Sequence, residues 1–199
     1  SSWGKMRLGV LFAVVADIAA DIIHPADGDT LVDPAALAAL CADEFRSDCE
    51  AELAKFRVDA GVVGFPRAYA PGRDDGYLWY VLYGASSEHA VASAGENLFL
   101  WYNGGPGAPP TFGGLTALLP LTVDYKVQAA FRPSAFRWNE FGDVLLVDGP
   151  PRFAGYSNAE GYQSVDPDDM PASLDDAAED FLGALDAIFA AHPHLKTKR

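Results

Sequence analysis

The residues best suited to chemistry form the motif Asn-Gly-Gly-Pro-Gly at positions 103–107. Its three glycines permit backbone torsions and close approaches that other residues do not allow. Successive free N–H groups in such a turn form an anion-binding concavity, which in a hydrolase holds the oxyanion of a tetrahedral intermediate. A plain Gly/Pro turn explains the same residues, and the motif alone favours that interpretation because short glycine-rich matches are weak signals.

Two other positions offer a serine in a suggestive context. Ser157 lies in Gly-Tyr-Ser-Asn-Ala, which superficially fits a nucleophile elbow. An elbow needs a strand that leads directly into the serine, and here a Pro-rich segment intervenes, so we predict no catalysis by Ser157. Ser87, Glu88 and His89 are neighbours in sequence, whereas a catalytic triad is assembled in space, and we predict an exposed loop there.

Composition excludes several other classes of function. The chain has 14 Lys plus Arg against 28 Asp plus Glu, and its net charge of −14 disfavours nucleic-acid binding because phosphate backbones are repelled. No apolar run reaches the roughly 20 residues of a membrane span. No group of His, Cys, Asp and Glu has metal-ligand spacing, so we expect neither a metal nor a cofactor. Three histidines, His24, His192 and His194, lie at predicted helix ends or beside proline, and we predict that they cap helices or lie at the surface.

Three predicted strands position the 103–107 motif. The segment 77–83 is aromatic and β-branched and predicts a strand. The segment 97–102 is apolar on both faces, as central strands are, and it leads directly into the motif. A third buried strand is predicted at 143–147, and the Gly- and Pro-rich segment 61–73 is predicted to be a loop. Buried strands followed by helices, with Gly-rich turns at the strand ends, predict an α/β fold.

Helical patterns lie on both sides of these strands. Residues 173–192 begin with Ser-Leu-Asp-Asp, a variant of the capping box, and continue as an amphipathic helix. Asp33 and Pro34 suit the start of a second helix, whose apolar residues recur at three- and four-residue spacing as far as Phe56. The apolar stripe of the C-terminal helix comprises Leu174, Ala177, Ala178, Phe181, Leu182, Leu185, Ile188 and Phe189.

The two cysteines lie on the stripe of the upstream helix. Cys41 and Cys49 are eight residues apart, about 12 Å in a continuous helix, whereas a disulfide needs Cα atoms within about 7 Å. We therefore predict core thiols, unless the helix breaks between them. Before this helix, a short basic stretch and an apolar run within 6–23 fit either a retained secretory-signal-like helix or an ordinary amphipathic helix, and only the former implies a secretory or organellar route.

The segment 98–107, Leu-Phe-Leu-Trp-Tyr-Asn-Gly-Gly-Pro-Gly, resembles the "LWLNGGPG" signature of the serine carboxypeptidases, peptidase family S10. The resemblance extends over residues 69–195, and several motifs in the same order make it specific. It implies a partial α/β-hydrolase sheet, the N-terminal half of that fold in residues 61–199, preceded by an extra helical segment in residues 1–60. The further matching segments are 76–83 with "LFYWFFES", 138–150 with "SWN…NVLFLDQP" and 155–157 with "GFSYS".

The resemblance also implies roles for five residues. The residue that matches Asn103 helps to bind the C-terminal carboxylate of the substrate, and the backbone at Gly104 lies in the same subsite. The N–H that matches Gly105 is a donor of the oxyanion hole. Trp138 and Asn139 match a pair that shapes the neighbouring substrate-binding wall and supports the site.

Three departures from the family pattern matter. Where the family has a small polar run after the glycine-rich motif, this sequence has Ala-Pro-Pro at 108–110. Ala117 stands where the family has a Glu that takes part in carboxylate recognition. The nucleophile motif "GESYAG" should follow soon after Leu195, and neither that motif nor the Asp and His of the triad is found among the 199 residues.

Two classes of function therefore remain open. In the first, the chain is part of a serine carboxypeptidase whose nucleophile lies on another polypeptide segment. In the second, it is a catalytically inactive scaffold subunit of a larger assembly. Both predict a partner polypeptide, with a contact of at least roughly 1,000 Å², because half of the sheet leaves an open edge and an uncovered apolar face. The family resemblance implies the secretory pathway, a vacuole or a lysosome, and an organellar complex is the alternative.

Overall fold

The computed structural model describes residues 30–31, 37–67, 76–87, 94–101, 110–124, 130–147, 162–163, 171 and 173–199. The strands are β1 (Thr30–Leu31), β2 (Val58–Phe65), β3 (Gly76–Tyr83), β4 (Leu98–Trp101), β5 (Leu121–Asp124), β6 (Ala130–Pro133), β7 (Asp143–Val147) and β8 (Tyr162–Gln163). The α-helices are α1 (Arg46–Leu53), α2 (Pro110–Gly113) and α3 (Leu174–Ala191). Short 3₁₀ segments lie at Asp43–Phe45, Ala94–Glu96, Trp138–Glu140 and Pro193–Thr197, and a π-helix lies at Gly114–Leu118.

Six strands form one mixed sheet in the order β1-β2-β3-β7-β4, with β8 also paired to β3. β4 and β7 are parallel, and the other pairs of this sheet are antiparallel. The three strands predicted from sequence are confirmed as β3, β4 and β7, and together with the helices they make a partial α/β fold. Among the described residues β4 is one of the two edge strands, whereas its apolar pattern predicted a central one.

The loop predicted at 61–73 is wrong over its first five residues, because Val58–Phe65 is the strand β2. Gly61, taken as a turn signal, serves packing instead. A Cβ at this position would lie 3.1 Å from the Cε1 atom of Tyr80, so the absent side chain lets the buried ring of Tyr80 rest on β2. The glycine therefore marks a close approach between neighbouring strands rather than the end of one.

Helix α3 covers one face of the sheet, as the capping box and apolar stripe predict. The Ser173 Oγ accepts from the Asp176 N–H and the Asp176 carboxylate accepts from the Ser173 N–H, both at 3.0 Å. Ala184 and Ile188 are fully buried against the strands, but Leu174 and Leu182 of the predicted stripe are exposed. The core on this face comprises Phe65, Leu78, Tyr80, Leu82, Leu145, Val147, Ala184, Ile188 and Leu195.

A second core joins the N-terminal region to the β5–β6 hairpin. The prediction of free core thiols is wrong, because Cys41 and Cys49 form a disulfide with their Cα atoms 6.7 Å apart. The helical pattern breaks between them: Cys41 pairs with Phe131 as an isolated β-bridge, and α1 begins only at Arg46. This break shortens the roughly 12 Å of a continuous helix to a distance that a disulfide can span.

Within the described residues, no helix is long and apolar enough to cross a membrane. No group of three or more His, Cys, Asp or Glu side chains in this part of the chain is arranged to hold a metal ion. The predicted signal-like segment at 6–23 lies outside the described residues.

Candidate functional site

The candidate oxyanion loop follows β4, which ends at Trp101. Asn103, Gly104 and Gly105 lie outside the described residues, but the strands that precede the loop are well defined. Because β4 and β7 are parallel neighbours, with Trp101 paired to Leu146, both strands end at the same edge of the sheet. In open α/β sheets ligands bind at this carboxyl edge. The strand arrangement that the loop needs is therefore present.

After the loop, the chain returns to the sheet through α2 and the π-helix Gly114–Leu118. The N–H of Leu119 donates to the carbonyl of Gly114 at 3.1 Å, which closes this wider turn. Gly114 permits close packing, since a Cβ there would lie 2.9 Å from the Cδ1 atom of Leu146. Ala117, which stands where the family has a Glu, lies in this π-helix. Short π-helical turns occur frequently at functional sites.

Trp138 lies in a 3₁₀ turn that precedes β7, at the amino end of that strand. Its indole packs edge-to-face on Phe99, with ring centroids 5.4 Å apart, and on Trp101, with centroids 6.2 Å apart. Both partner rings belong to β4. Trp138 therefore covers one face of the strand that leads into the candidate oxyanion loop.

Asn139 is completely buried beside Trp138. Its backbone carbonyl accepts from the Ser86 N–H at 2.7 Å, whereas its side-chain Nδ2 and Oδ1 atoms have no hydrogen-bond partner in the structure. The buried Nε1 atom of Trp101 also has none. Buried polar groups in proteins almost always have a hydrogen-bond partner, so ordered water is expected to complete both groups.

Of the remaining sequence candidates, the structure describes Ser87, His192 and His194. Ser87 is exposed and its N–H donates to the Lys55 carbonyl at 2.7 Å, while Glu88 and His89 lie outside the described residues. Ser157 and His24 also lie outside them.

The prediction that His192 caps a helix is confirmed, because it is the C-cap residue of α3, where it is buried. Its Nε2 atom lies 3.0 Å from the Tyr80 hydroxyl, and the two rings are edge-to-face. His194 is exposed, as predicted. On the opposite face of β3, burial raises the pKa of the Tyr83 phenol above its usual range, so this hydroxyl stays protonated at neutral pH.

Sequence reasoning missed a buried ion pair beside a cavity of about 540 Å³ between β2 and α3. The Arg67 Nε and Asp180 Oδ2 atoms are 3.6 Å apart, and both side chains are almost completely buried. Only the unusual Asp within the apolar stretch of α3 signalled this pair. The cavity is lined by Gly64, Phe65, Pro66, Arg67, Glu179, Asp180, Leu182, Gly183, Asp186 and Ala187.

The parallel pair β4 and β7, in a mixed sheet that α3 covers on one face, defines an α/β-type domain, and sequence comparison specifies it further. The family profile described as serine carboxypeptidase matches residues 55–199, and the chain therefore belongs to the serine carboxypeptidase family.

Individual relatives agree with this assignment. The pheromone-processing carboxypeptidase KEX1 of Ogataea parapolymorpha is 29% identical over 104 residues, which are 52% of this chain and 15% of that protein. KEX1 of Podospora anserina is 32% identical over 98 residues, or 49% of this chain and 15% of the relative. Carboxypeptidase sxa2 of Schizosaccharomyces pombe is 26% identical over 105 residues, which are 52% of this chain and 19% of that protein. The chain thus matches less than a fifth of the length of these curated relatives.

The fold agrees as well. The crystal structure of Kex1(delta)p, a prohormone-processing carboxypeptidase from Saccharomyces cerevisiae, superposes with a TM-score of 0.55 at 20% sequence identity. The superposition covers 73% of this chain and 30% of the solved chain. The described sheet is therefore part of a larger carboxypeptidase domain fold.

Proposed function

We propose that this chain supplies the oxyanion loop and the carboxylate-binding residues of a serine carboxypeptidase, which hydrolyses C-terminal peptide bonds. In this proposal the Gly105 N–H donates to the oxyanion, and Asn103 with the Gly104 backbone binds the carboxylate of the substrate. The parallel pair β4 and β7 supports these roles, because the loop after β4 starts at the carboxyl edge of the sheet. The chemistry needs no metal or cofactor.

One observation carries the proposal: the backbone of Arg199 forms two hydrogen bonds with the start of β4. The Arg199 N–H donates to the Glu96 carbonyl at 2.7 Å, and the Leu98 N–H donates to the Arg199 carbonyl at 3.0 Å. This pattern places Arg199 opposite Asn97 in a parallel ladder. A strand in this direction ends at the same edge as the 103–107 loop, which is where a nucleophile elbow must lie to face the oxyanion donors.

Trp138 and Asn139 belong to the same proposal as residues that support the substrate-binding wall. Trp138 packs on Phe99 and Trp101 of β4, and the next residue, Asn139, is completely buried. Both precede β7, so in the proposal they act on the substrate through β4 and the loop that follows it.

An inactive scaffold subunit is the second candidate. It is favoured by Ala117, which has no carboxylate where the family has a Glu, and by Ala-Pro-Pro at 108–110. In this alternative the open edge of β4 serves assembly with a partner polypeptide and not catalysis. Such a subunit would bind its partner as tightly as the enzyme half would, but would form no covalent adduct with a serine-directed reagent.

The proposed compartment is the secretory pathway, a vacuole or a lysosome. The Cys41–Cys49 disulfide supports it, because disulfides form and persist in oxidising compartments and are rare in the cytosol. Alkylation of the natural protein before reduction tests this: blocked thiols at both cysteines would contradict a route through such a compartment.

A serine-reactive phosphonate distinguishes the two functions. The 199-residue chain alone is expected to remain unlabelled and to hydrolyse no blocked dipeptide, since loss of a triad nucleophile costs on the order of 10⁶ in turnover. Stoichiometric labelling of any serine in this chain, including Ser157, would contradict that. The full-length natural protein is expected to be labelled if the chain belongs to an enzyme, and to remain unlabelled if it is a scaffold.

In a full-length protein that is labelled, Asn103→Ala tests the proposed subsite. Removal of a hydrogen bond to a charged group costs about 1.5–3 kcal/mol, so we expect binding of peptides with a free C-terminal carboxylate to weaken about 10- to 150-fold. Hydrolysis of the same peptides with an amidated C-terminus is the matched control and should change little. An equal loss for both substrates would contradict the assignment of Asn103.

A further inference from the structure

The amino edge of the sheet contains a buried salt bridge to which the family resemblance assigns no role. Asp143 is the first residue of β7, and its side chain is 7% exposed. One carboxylate oxygen accepts from the Ala85 N–H at 2.8 Å, and the other lies 2.8 Å from the Lys198 Nζ. His194 is more distant, at 3.9 Å, and its side chain is mostly exposed.

The ammonium group of Lys198 also has two polar partners. Its side chain is 10% exposed, and its Nζ also donates to the Gly95 carbonyl at 2.9 Å. The ion pair thus connects the turn after β3, the turn before β4, the start of β7 and the segment after α3. A long, strongly hydrated lysine side chain is seldom buried in this way unless its charge is paired.

The residue after Lys198 is the one that joins the sheet. Arg199 makes the two backbone hydrogen bonds that place it opposite Asn97 at the start of β4. A lysine bound at both Asp143 and Gly95 leaves the following backbone little freedom to move along the edge of β4. The salt bridge and this first rung of the ladder are therefore one structural unit.

Backbone hydrogen bonds alone do not determine the register of a parallel strand, because every residue offers the same donor and acceptor. A slip of one residue turns every side chain to the opposite face, and a slip of two moves each by about 6.6 Å. Catalytic groups must be held to within about 0.5 Å. Specifying register is also the best-supported role of a buried ionic group, whose contribution to stability is often small.

We infer that the Asp143–Lys198 salt bridge fixes the register with which the chain after α3 enters the sheet beside β4. Lys198 and Asp143 are positioning residues: they touch no substrate, and they act through the backbone of Arg199. The catalytic consequence rests on the proposed function, in which a strand that continues from Arg199 leads to the nucleophile. The register itself does not, and it is measurable without any activity.

Hydrogen exchange of the full-length natural protein, resolved to single amides by fragmentation mass spectrometry, tests the inference. Lys198→Met removes the charge and keeps the length of the side chain. We expect the Leu98 and Arg199 amides to exchange at least about tenfold faster, while the amides of the β3–β7 ladder change less. Lys198→Arg, which keeps the charge, should retain most of the protection. The exposed Lys196 offers the matched control, and Lys196→Met should change neither amide.

Asp143→Asn provides the independent variant, because its amide oxygen still accepts from the Ala85 N–H but it no longer pairs with a charge. It should give the same local loss at Leu98 and Arg199 as Lys198→Met. Unchanged exchange at these two amides in both variants would overturn the inference. An equal loss of protection at the amides of the β3–β7 ladder would also overturn the inference, because it would indicate a general contribution to stability. Neither result bears on whether the full-length protein is labelled by a phosphonate.

Discussion

β7 and β4 are parallel neighbours of similar apolar sequence, yet they are covered very differently. All five residues of β7 are buried, with β3 on one side and β4 on the other. Within the described residues β4 is paired only with β7, and on its other edge a hydrogen-bonding rung is present only at its start. Two leucines that are paired across the strands show this difference in burial. Leu145 of β7 is fully buried, whereas its partner Leu100 of β4 is 43% exposed.

The apolar sequence of β4 suits a strand that is covered on both sides, and the described residues cover it only in part. An apolar strand with an open edge is a template for pairing with another chain or segment. The backbone of Arg199 is hydrogen-bonded to the start of that edge and runs parallel to β4. In the proposed function, a strand that continues in this direction leads to the nucleophile. The contrast between the two strands is thus the structural basis of the functional proposal.

The largest expected effect compares the two paired leucines. Leu145→Ala should lower the free energy of unfolding by about 2–5 kcal/mol, because a fully buried leucine leaves a cavity. Leu100→Ala should cost about 1 kcal/mol or less, since much of its side chain is already in water. Urea unfolding at equal protein concentration measures both. Equal losses would show that β4 is covered as completely as β7.

The next prediction contrasts the sheet with the disulfide-linked N-terminal core. Replacing Cys41 and Cys49 together by alanine should lower the free energy of unfolding by about 2–3 kcal/mol, the chain-entropy value for so short a loop. Hydrogen exchange should locate the loss in α1 and the β5–β6 hairpin, which pack around the disulfide. If the intact mass after non-reducing alkylation showed two free thiols, the bond itself would be refuted.

A smaller effect tests the contact between the two parallel strands. A Cβ on Gly142, just before β7, would lie 2.7 Å from the carbonyl oxygen of Asn97, just before β4. Gly142→Ala should therefore force the strands apart and cost about 1–3 kcal/mol. Gly95→Ala is the matched control, because a Cβ there meets nothing within 4 Å. Equal, small effects of the two substitutions would contradict the close approach of β4 to β7.

The smallest expected effect concerns the aromatic cover of β4. Trp138→Ala removes edge-to-face contacts with Phe99 and Trp101 and should cost about 1–2 kcal/mol. Phe136 is 82% exposed, so Phe136→Ala should change stability by no more than about 0.5 kcal/mol. If the two alanine variants were equally stable in thermal unfolding, Trp138 would not cover β4.

Local sequence patterns correctly predicted the strands and helices that depend mainly on their own residues. The strand at 143–147 and the capped helix that begins at Ser173 are confirmed, because continuous apolar character and a capping box act within one segment. The glycine loop was found from its motif, although its meaning came from the family resemblance and the roles of Asn103, Gly104 and Gly105 remain predictions.

Features that depend on distant residues were not predictable in the same way. The disulfide depends on a helix break stabilised by the bridge between Cys41 and Phe131, 90 positions further along the chain. The strand β2 was taken for a loop because Gly61 looks like a turn signal until Tyr80 is seen packing on it. The salt bridge between Asp143 and Lys198 likewise joins residues that no local pattern connects.

The open edge of β4 is the central claim, and light scattering coupled to size-exclusion chromatography tests it most directly. The 199-residue chain on its own is expected to self-associate or aggregate, because among the described residues β4 has an open edge and an exposed apolar side chain at Leu100. Addition of the polypeptide that completes the sheet should convert it to a discrete complex. A sharp, soluble 21.2 kDa monomer that unfolds in one cooperative transition would contradict the claim and show that the chain completes its own fold.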